Sequence, residues 1–297
     1  MGQHPHQRQP LGPPVTDAAL FREQGYLLMK RFFDPAEVKR IQDEAKAVFA
    51  AQMRRHGIDP GADATEEQFA SAMFALFEAD LPAFTNCGKQ AQHLISLHRL
   101  SLDERIVGTL AELGLEFPNV STRPVLYFNH PKLAKKEVYW RLSLHQDWRS
   151  MQGSLDSVVV WLPLVDIDVS VGALEVIPGS HKGGLREADL EDGYGHISRA
   201  EMDRIDPAEL VPVEVERGDA LFFSTFLLHQ SGTNVSDRLR WSCHFRYNNL
   251  AEETFVERGY PHPYLYRPEP QILTPDFPRQ EHIDRTFGGA REEAQAN

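Results

Sequence analysis

Two residues that could bind a metal ion stand close together in residues 143–148, SLHQDW, where His145 comes two positions before Asp147. The surrounding residues predict a β-strand, and on a strand residues i and i+2 face the same side, so both side chains could contact one ion. The chain has 13 histidines, however, and a second His-x-Asp triplet occurs at His282 and Asp284. The triplet alone therefore does not identify a metal site. Since no predicted strand or later histidine accompanies the second copy, we expect it to lie on the surface.

The best candidate for a third ligand beside the first copy is His229, at the end of the predicted strand in DALFFSTFLLHQSGTN. Two imidazoles and a carboxylate, with coordination positions left open, are typical of non-haem iron(II) sites. Arg240 opens the next predicted strand and could hold the far carboxylate of a dicarboxylate co-substrate by a bidentate pair. Arg238, on the same face, is a rival that could pair instead with a neighbouring acid. Ser242 could add a hydroxyl to the clamp or bond a strand neighbour.

Composition narrows the function classes. The 297 residues carry a net charge of -12, which argues against a general nucleic-acid binder. The sequence has no apolar run of membrane-helix length and no signal-peptide pattern at residues 1–16. Two cysteines are too few for a disulfide framework, so we expect a soluble, reducing, cytoplasmic setting, with an oligomer possible but not indicated. The motifs of serine hydrolases, P-loop enzymes, zincins and Rossmann dehydrogenases are missing.

The order of predicted elements suggests the fold that positions these residues. Three capped helices are expected before residue 118, one of them with Asp34 as N-cap and another with Ser101, Glu104 and Gly114 at its ends. From about residue 120 short β-type runs follow, with no βαβ alternation. Helices first and strands afterwards predict a mainly β fold with flanking helices and a double-stranded, cupin-like jelly-roll core.

The same pattern predicts the domain organisation. We expect a disordered lead over residues 1–16 and a single domain over residues 17–297. Within that domain, a helical part covers residues 17–118, the jelly-roll core covers about 119–250, and a proline-rich arm covers 251–297. Cys243 alternates with Ser242 on its strand and is expected to be a buried core residue.

Three segments in a fixed order resemble the phytanoyl-CoA dioxygenase family of iron(II)- and 2-oxoglutarate-dependent oxygenases. They are LHQDW, then VVVWLPLVDIDVSVGALEVIPGSHKGG, then ERGDALFFSTFLLHQSGTNVSDRLR, and the likeness runs from residue 21 to about residue 249. The resemblance implies that the iron ligands are His145, Asp147 and His229. It implies that Arg240 anchors 2-oxoglutarate, and it places three further residues around that co-substrate: Ser231, Trp161 and Gln146.

The resemblance also implies the chemistry. Iron(II), with 2-oxoglutarate and O2 as co-substrates and ascorbate as a stimulant, would hydroxylate an unactivated C–H bond and release succinate and CO2. Asp147 disfavours halogenation, because related halogenases have a small residue in place of that carboxylate. Two other readings stay open at this point: a jelly-roll hydrolase or isomerase with another metal, and a non-catalytic binding module.

The substrate is less well defined by the sequence. A small molecule such as a metabolite, natural product or sugar derivative is expected, with the pocket wall formed by Tyr127, Asn129 and Arg149. An anionic substrate could instead meet Lys132, Lys135 and Lys136, although a solvated loop is the simpler interpretation. His181, at a predicted turn, is expected to order a loop rather than to bind the metal.

Overall fold

Helices occupy most of the first part of the chain and strands most of the second, in the order that the sequence predicts. The computed structural model describes residues 17–134, 142–189 and 196–261. The helices are α1 (Asp17–Gln24), α2 (Pro35–Arg55), α3 (Glu66–Ala79), α4 (Leu81–Ala91), α5 (Ile95–Ser101), α6 (Glu104–Glu112), α7 (Trp148–Met151), α8 (Arg199–Met202) and α9 (Glu253–Glu257). The strands are β1 (Tyr26–Met29), β2 (Pro118–Val120), β3 (Val125–Asn129), β4 (Val158–Pro163), β5 (Leu174–Val176), β6 (Ala188–Asp189), β7 (His196–Ile197), β8 (Val211–Val213), β9 (Ala220–Ser224), β10 (His229–Ser231) and β11 (Arg240–Asn249).

The start of α2 agrees with the predicted cap, whereas the predicted start of α6 needs a correction. Asp34 caps α2 by accepting a hydrogen bond from the backbone N–H of Ala36, as predicted. The cap of α6 is Asp103, whose carboxylate accepts from the backbone N–H of Arg105 at 2.9 Å. Ser101, predicted to cap this helix, is instead the last residue of α5. The error arose because two short helices meet within a few residues, and the nearer acid takes the capping position.

Two antiparallel sheets form the β core. The larger sheet has the strand order β1-β9-β4-β11-β2, and β3 also pairs with β11. The smaller sheet has the order β10-β5-β8, and β6 pairs with β7. Every pairing is antiparallel, which gives the predicted double-sheet core with helices against it.

The central strand β4 shows why its sequence is an unbroken apolar run. Val158, Val160 and Leu162 pack into the core cluster that contains the helices, whereas Val159 and Trp161 pack between the two sheets. A strand that is buried on both faces needs apolar residues at every position. This double burial makes β4 a rigid support beside the site.

Strand β11 alternates in the same way, but only one of its faces is apolar. Trp241, Cys243 and Phe245 join the helix-side core, and Cys243 is fully buried, as predicted. The opposite face carries polar side chains at a spacing of two residues: Arg240, Ser242, His244 and Arg246. Because successive residues of a strand face opposite sides, this polar row must point into the space between the sheets.

The segment that contains His145 is not the predicted strand. His145 forms isolated β-bridges with His196 and His229, and Asp147 already has helical dihedral angles (φ -63°, ψ -30°) as the residue before α7. The two side chains therefore converge because the chain turns from extended to helical between them. His229 likewise opens β10, whereas the sequence placed it at the end of the preceding strand. The intervening residues form a turn that closes with a Leu227 N–H to Ser224 carbonyl bond of 2.9 Å.

Part of the predicted organisation falls on residues that the structure does not describe. The lead 1–16, the arm from residue 262 onward and the second His-x-Asp triplet at His282 lie outside the described residues. The start of the predicted arm is described, and it contains the helix α9. The prediction of a single domain over residues 17–297 stays a prediction, because part of that range lies outside the described residues. Within the described ranges, no helix has the length and apolar character needed to cross a bilayer.

Candidate metal centre and co-substrate cavity

Three potential metal ligands converge between the sheets. His145, Asp147 and His229 each offer one atom, and these atoms all lie within 4.8 Å of one another. The Nε2 atom of His145 is 3.4 Å from Oδ1 of Asp147. All three residues are buried. In the part of the chain that the structure describes, this is the one such group of His, Cys, Asp or Glu residues.

The imidazoles are oriented for metal binding by their own backbone. Nδ1 of His145 lies 2.7 Å from the carbonyl oxygen of Ser143, and Nδ1 of His229 lies 2.9 Å from that of Leu227. A carbonyl can only accept, so each Nδ1 carries the proton and each Nε2 keeps its lone pair for a metal. Burial, followed by the nearby His145, lowers the pKa of His229 to about 4. The ring is therefore neutral at pH 7, as a ligand must be.

Asp147 is held at both its backbone and its side chain. Its carbonyl accepts from the N–H of Ser150 in α7 at 3.1 Å. Its Oδ2 accepts a hydrogen bond from Nε of Arg246 at 2.9 Å. Burial by itself raises the pKa of Asp147, but the charge of Arg246 outweighs it and holds the pKa well below its ordinary value. The carboxylate is therefore ionised at neutral pH.

A cavity between the two sheets joins the metal ligands to the polar row of β11. Five residues that the sequence placed around the co-substrate or substrate line it: Tyr127, Trp161, Ser231, Arg240 and Ser242. The rest of the wall comprises the three ligands, two further polar residues of β11 and four apolar side chains: His145, Asp147, His229, His244, Arg246, Leu142, Val159, Leu174 and Phe223. The cavity thus has one metal-binding end and a cationic wall.

Arg240 is a buried cation that faces this cavity. The residue is only 1% exposed, and its Nη1 donates a hydrogen bond to the carbonyl oxygen of Gly172 at 2.5 Å. The guanidinium carbon lies 5.6 Å from the ring centroid of Trp161. Burial lowers the pKa of Arg240 to about 10, so it keeps its charge at pH 7. Its Nε, the Tyr127 hydroxyl and the Ser242 hydroxyl are buried and have no hydrogen-bond partner among the described residues.

That set of unused polar atoms fits an anionic ligand. Buried donors without a partner are costly, and such groups usually face a ligand or water. A guanidinium and two hydroxyls in one wall could bind a carboxylate, while three ligand atoms at the other end could hold a metal. The residues present therefore fit iron together with 2-oxoglutarate.

The rival arginine lies elsewhere. Arg238 is exposed and its guanidinium pairs with the carboxylate of Asp168. The neighbouring acid that the sequence analysis allowed for is thus present. Arg238 lies before the start of β11, so pairing with a neighbouring strand does not force its side chain onto the same face as that of Arg240. The Arg238 side chain therefore does not enter the cavity.

Three sequence candidates do not line the cavity. The amide of Gln146 donates to the carbonyls of Gly184 and Phe226 and accepts from the N–H of Arg186, so it holds loops together and is turned away from the co-substrate. Arg149 donates to a backbone carbonyl at 2.5 Å. Asn129 is fully buried beside β11, outside the lining. Their predicted placement in the site rested on sequence neighbourhood or on shared strand faces alone, and it stays a prediction that the lining of this cavity does not support.

Two other candidates lie away from the metal ligands. Nε2 of His181 is 3.2 Å from the carbonyl of Arg22, a contact that ties a loop to α1 and fits the predicted loop-ordering role. The ammonium of Lys132 lies 5.2 Å from the ring centroid of Phe74, on the helix α3. Lys135 and Lys136 lie outside the described residues.

Two residues of the cavity wall, His244 and Arg246, were not predicted from the sequence. The signal was available, because alternation along RWSCHFR places every second residue after Arg240 on one face. Extending the argument past Ser242 would have placed both residues in the cavity wall. Their contacts with the metal end could not be inferred in this way, since Asp147 and Arg246 are far apart in the chain.

Comparison with known proteins supports the same assignment. Residues 21–242 match the family model of phytanoyl-CoA dioxygenase. The peroxisomal phytanoyl-CoA dioxygenase of Bos taurus is 27% identical over 240 residues, and that of Homo sapiens is 25% identical over 239 residues. Each alignment covers 76% of this chain and 66% of the relative, so the chain spans slightly less than two thirds of their length. The 1-deoxypentalenic acid 11-beta-hydroxylase of Streptomyces arenae is 35% identical over 102 residues, or 31% of this chain and 35% of that protein.

Solved structures share the fold at low sequence identity. The non-heme alpha ketoglutarate dependent carbocyclase SnoK from nogalamycin biosynthesis superposes with a TM-score of 0.53 at 18% identity, covering 86% of this chain and 95% of that one. EctD from S. alaskensis, solved with 2-oxoglutarate and 5-hydroxyectoine, gives 0.53 at 18% identity over 83% and 80% of the two chains. These likenesses establish the jelly-roll fold. Because the family model covers most of the chain, including all three metal-ligand candidates, this protein belongs to the phytanoyl-CoA dioxygenase family.

Proposed function

We propose that the protein is an iron(II)- and 2-oxoglutarate-dependent dioxygenase that hydroxylates an unactivated C–H bond of a small molecule. One observation carries the proposal. His145, Asp147 and His229 present ligand atoms to a cavity whose other wall holds a buried arginine, Arg240, with unused hydrogen-bonding capacity. A metal site for a hydrolase or isomerase would not require that arginine.

The two histidines and the aspartate would hold the iron. Nε2 of each histidine and Oδ1 of Asp147 would bind the ion, and a set of three protein ligands would leave coordination positions for 2-oxoglutarate and oxygen. When bound, iron and 2-oxoglutarate supply the oxidation, in which the co-substrate is converted to succinate and CO2. Asp147 as the third ligand favours hydroxylation over halogenation.

Arg240 would bind the far carboxylate of 2-oxoglutarate. A fixed guanidinium can donate two parallel hydrogen bonds to a carboxylate, and a buried site strengthens them. The hydroxyls of Tyr127 and Ser242 are placed to add further donors, because they lie on paired positions of β3 and β11. Trp161 lies against the guanidinium and Ser231 completes the wall on β10.

The apolar part of the wall would protect the reaction from water. Val159, Leu174 and Phe223 line the cavity, and the Phe223 ring lies 4.7 Å from that of His229. Apolar walls strengthen the electrostatic contacts of a bound anion and limit the access of solvent to the metal end.

The substrate class is a small aliphatic molecule. Two relatives have names that refer to phytanoyl-CoA and to 1-deoxypentalenic acid, and the structural neighbour EctD was solved with 5-hydroxyectoine. One scaffold hosts many substrates, so these names support the size and the C–H chemistry of the substrate without identifying it.

Succinate formation tests the proposal. Purified protein with iron(II), ascorbate, 2-oxoglutarate and a panel of small aliphatic acids and their thioesters should form succinate, measured by mass spectrometry. His145→Ala and Asp147→Ala should abolish it, because each removes a metal ligand. His282→Ala removes the histidine of the second His-x-Asp triplet and is the matched control; it should keep the wild-type rate.

The opposite result is equally clear. If wild-type protein forms no more succinate than a metal-free sample across the panel, the oxygenase assignment is wrong. If succinate is formed, the substrate can be identified by comparing metabolite profiles of cells that contain wild-type protein with those of cells that contain Asp147→Ala. The product should be heavier than the substrate by one oxygen atom.

A further inference from the structure

The two carboxylate oxygens of Asp147 have different partners. Oδ1 lies 3.4 Å from Nε2 of His145, on the side of the metal ligands. Oδ2 lies 2.9 Å from Nε of Arg246. A carboxylate whose second oxygen is hydrogen-bonded to a guanidinium has only one oxygen left for an ion.

Arg246 is fixed to the most highly paired strand of the larger sheet. It pairs with Val159 on β4, and its carbonyl accepts from the N–H of Ser121 at 2.9 Å on the other side. Its side chain is 13% exposed and that of Asp147 is 6% exposed. A buried ion pair on a rigid strand restricts the rotation of the carboxylate far more than a surface pair would.

We propose that Arg246 is a positioning residue for the metal centre: it holds Asp147 as a ligand through one oxygen and keeps the remaining coordination positions open. The inference rests on the proposed function, since it needs Asp147 to be a metal ligand. Asp147 is fixed from two directions, by the first turn of α7 through its backbone and by β11 through Arg246. Neither restraint involves the co-substrate end of the cavity.

A charge effect alone would have the opposite sign. Arg246 is a cation close to a site for a divalent cation, so in a purely electrostatic role its removal would strengthen metal binding. In a positioning role its removal frees the second oxygen of Asp147 and weakens metal binding, as loss of an outer partner of a metal ligand usually does, by about 10- to 100-fold. The direction of the change therefore separates the two roles.

Metal binding by Arg246→Met is the test. Affinity for Co(II) is measured under anaerobic conditions by titration calorimetry, and the visible absorption of bound Co(II), which reports coordination geometry, is recorded beside it. We expect affinity to fall by about 10- to 100-fold and the absorption spectrum to change. Arg246→Lys retains the charge without the fork of donors and should bind with intermediate affinity. It also serves as the test variant if Arg246→Met does not fold.

Arg238→Met is the matched control, because it removes an arginine near the start of the same strand that pairs with Asp168 away from the cavity. It should bind Co(II) like wild type, and circular dichroism should show that every variant is folded. If wild type binds Co(II) and Arg246→Met binds as tightly or more tightly with an unchanged spectrum, the positioning role is refuted. If wild type itself does not bind the metal, the proposed function falls and the positioning role falls with it.

Discussion

Replacement of Arg240 by methionine should separate binding of the co-substrate from stability of the fold. Arg240 is buried, and the one hydrogen bond that its side chain makes to a described residue is the Nη1 contact with the carbonyl of Gly172. In the proposed complex it gains a carboxylate partner. Methionine keeps much of the side-chain volume beside Trp161 but removes the charge and the donors.

The magnitude follows from the burial. Removal of one partner of a buried, hydrogen-bonded charge pair costs about 2–5 kcal/mol. At 1.4 kcal/mol per tenfold change, the Kd for 2-oxoglutarate should rise by roughly 30- to 4000-fold. In the protein without co-substrate, the same substitution removes a buried cation that lacks a carboxylate partner, so the free energy of unfolding should fall by less than about 1 kcal/mol or should rise.

Two measurements check this prediction. The Kd for 2-oxoglutarate is obtained by calorimetry with Co(II)-loaded protein, and the free energy of unfolding is obtained from urea denaturation of protein without metal or co-substrate. Arg238→Met is the control and should leave the Kd unchanged. A Kd within about threefold of wild type for Arg240→Met would refute the anchor role, since even one lost charge-assisted hydrogen bond exceeds that change. A loss of several kcal/mol in stability would refute the view that Arg240 is unsatisfied without a ligand.

Three further predictions address other parts of the molecule. Gln146→Leu should lower the free energy of unfolding, measured by urea denaturation, by about 2–4 kcal/mol, because two backbone carbonyls and one backbone N–H lose their hydrogen-bond partner. The same substitution should leave the Kd for 2-oxoglutarate unchanged. An altered Kd with normal stability would instead place Gln146 in the co-substrate site. In the metal-free protein, His229 by itself should account for a loss of up to about 3 kcal/mol of stability as pH falls from 6.5 to 4. The unfolded chain binds a proton at His229 with the ordinary pKa of 6.5, whereas the folded protein does so only near 4, so protons favour the unfolded state in this window. Burial also holds the pKa of His244 well below its ordinary value, so His244 adds to the loss. Urea denaturation at several pH values checks this, and His229→Gln should flatten the dependence; an equally steep dependence in that variant would contradict it. Neither Cys87 nor Cys243 should react with iodoacetamide in the native protein, because both are buried and burial raises the pKa of both thiols. Both cysteines should react in urea. Labelling of Cys243 in the native protein would contradict this prediction and show that the helix-side core opens.

His145 and Asp147 illustrate how a correct prediction of proximity can rest on a wrong local structure. From the sequence, His145 and Asp147 were expected to face one ion because both were placed on one side of a strand. In the structure the strand is absent, and the turn into α7 brings them together instead. The spacing of two residues is compatible with both geometries, so the identity of the residues was informative where the predicted backbone was not.

Gln146 and Arg246 show the limit of local arguments. Gln146 is adjacent in sequence to both ligands, yet its amide bonds to three backbone groups and points away from the cavity. Arg246 is 99 residues from Asp147 in sequence, yet it donates to the carboxylate. Closeness in sequence does not determine which side chains lie near the metal ligands. For Arg246, that position is set by the pairing of β11 between β3 and β4.

The sequence by itself determined the order of helices and strands, the three metal-ligand candidates, and the arginine that follows His229. It could do so because these features are written in local periodicity, capping residues and residue types that suit one chemistry. The tertiary structure alone decided that Arg240 rather than Arg238 enters the cavity, that Gln146 supports the loops, and that Arg246 holds Asp147. These outcomes depend on which strand face is buried against which partner, and burial is a property of the folded chain as a whole.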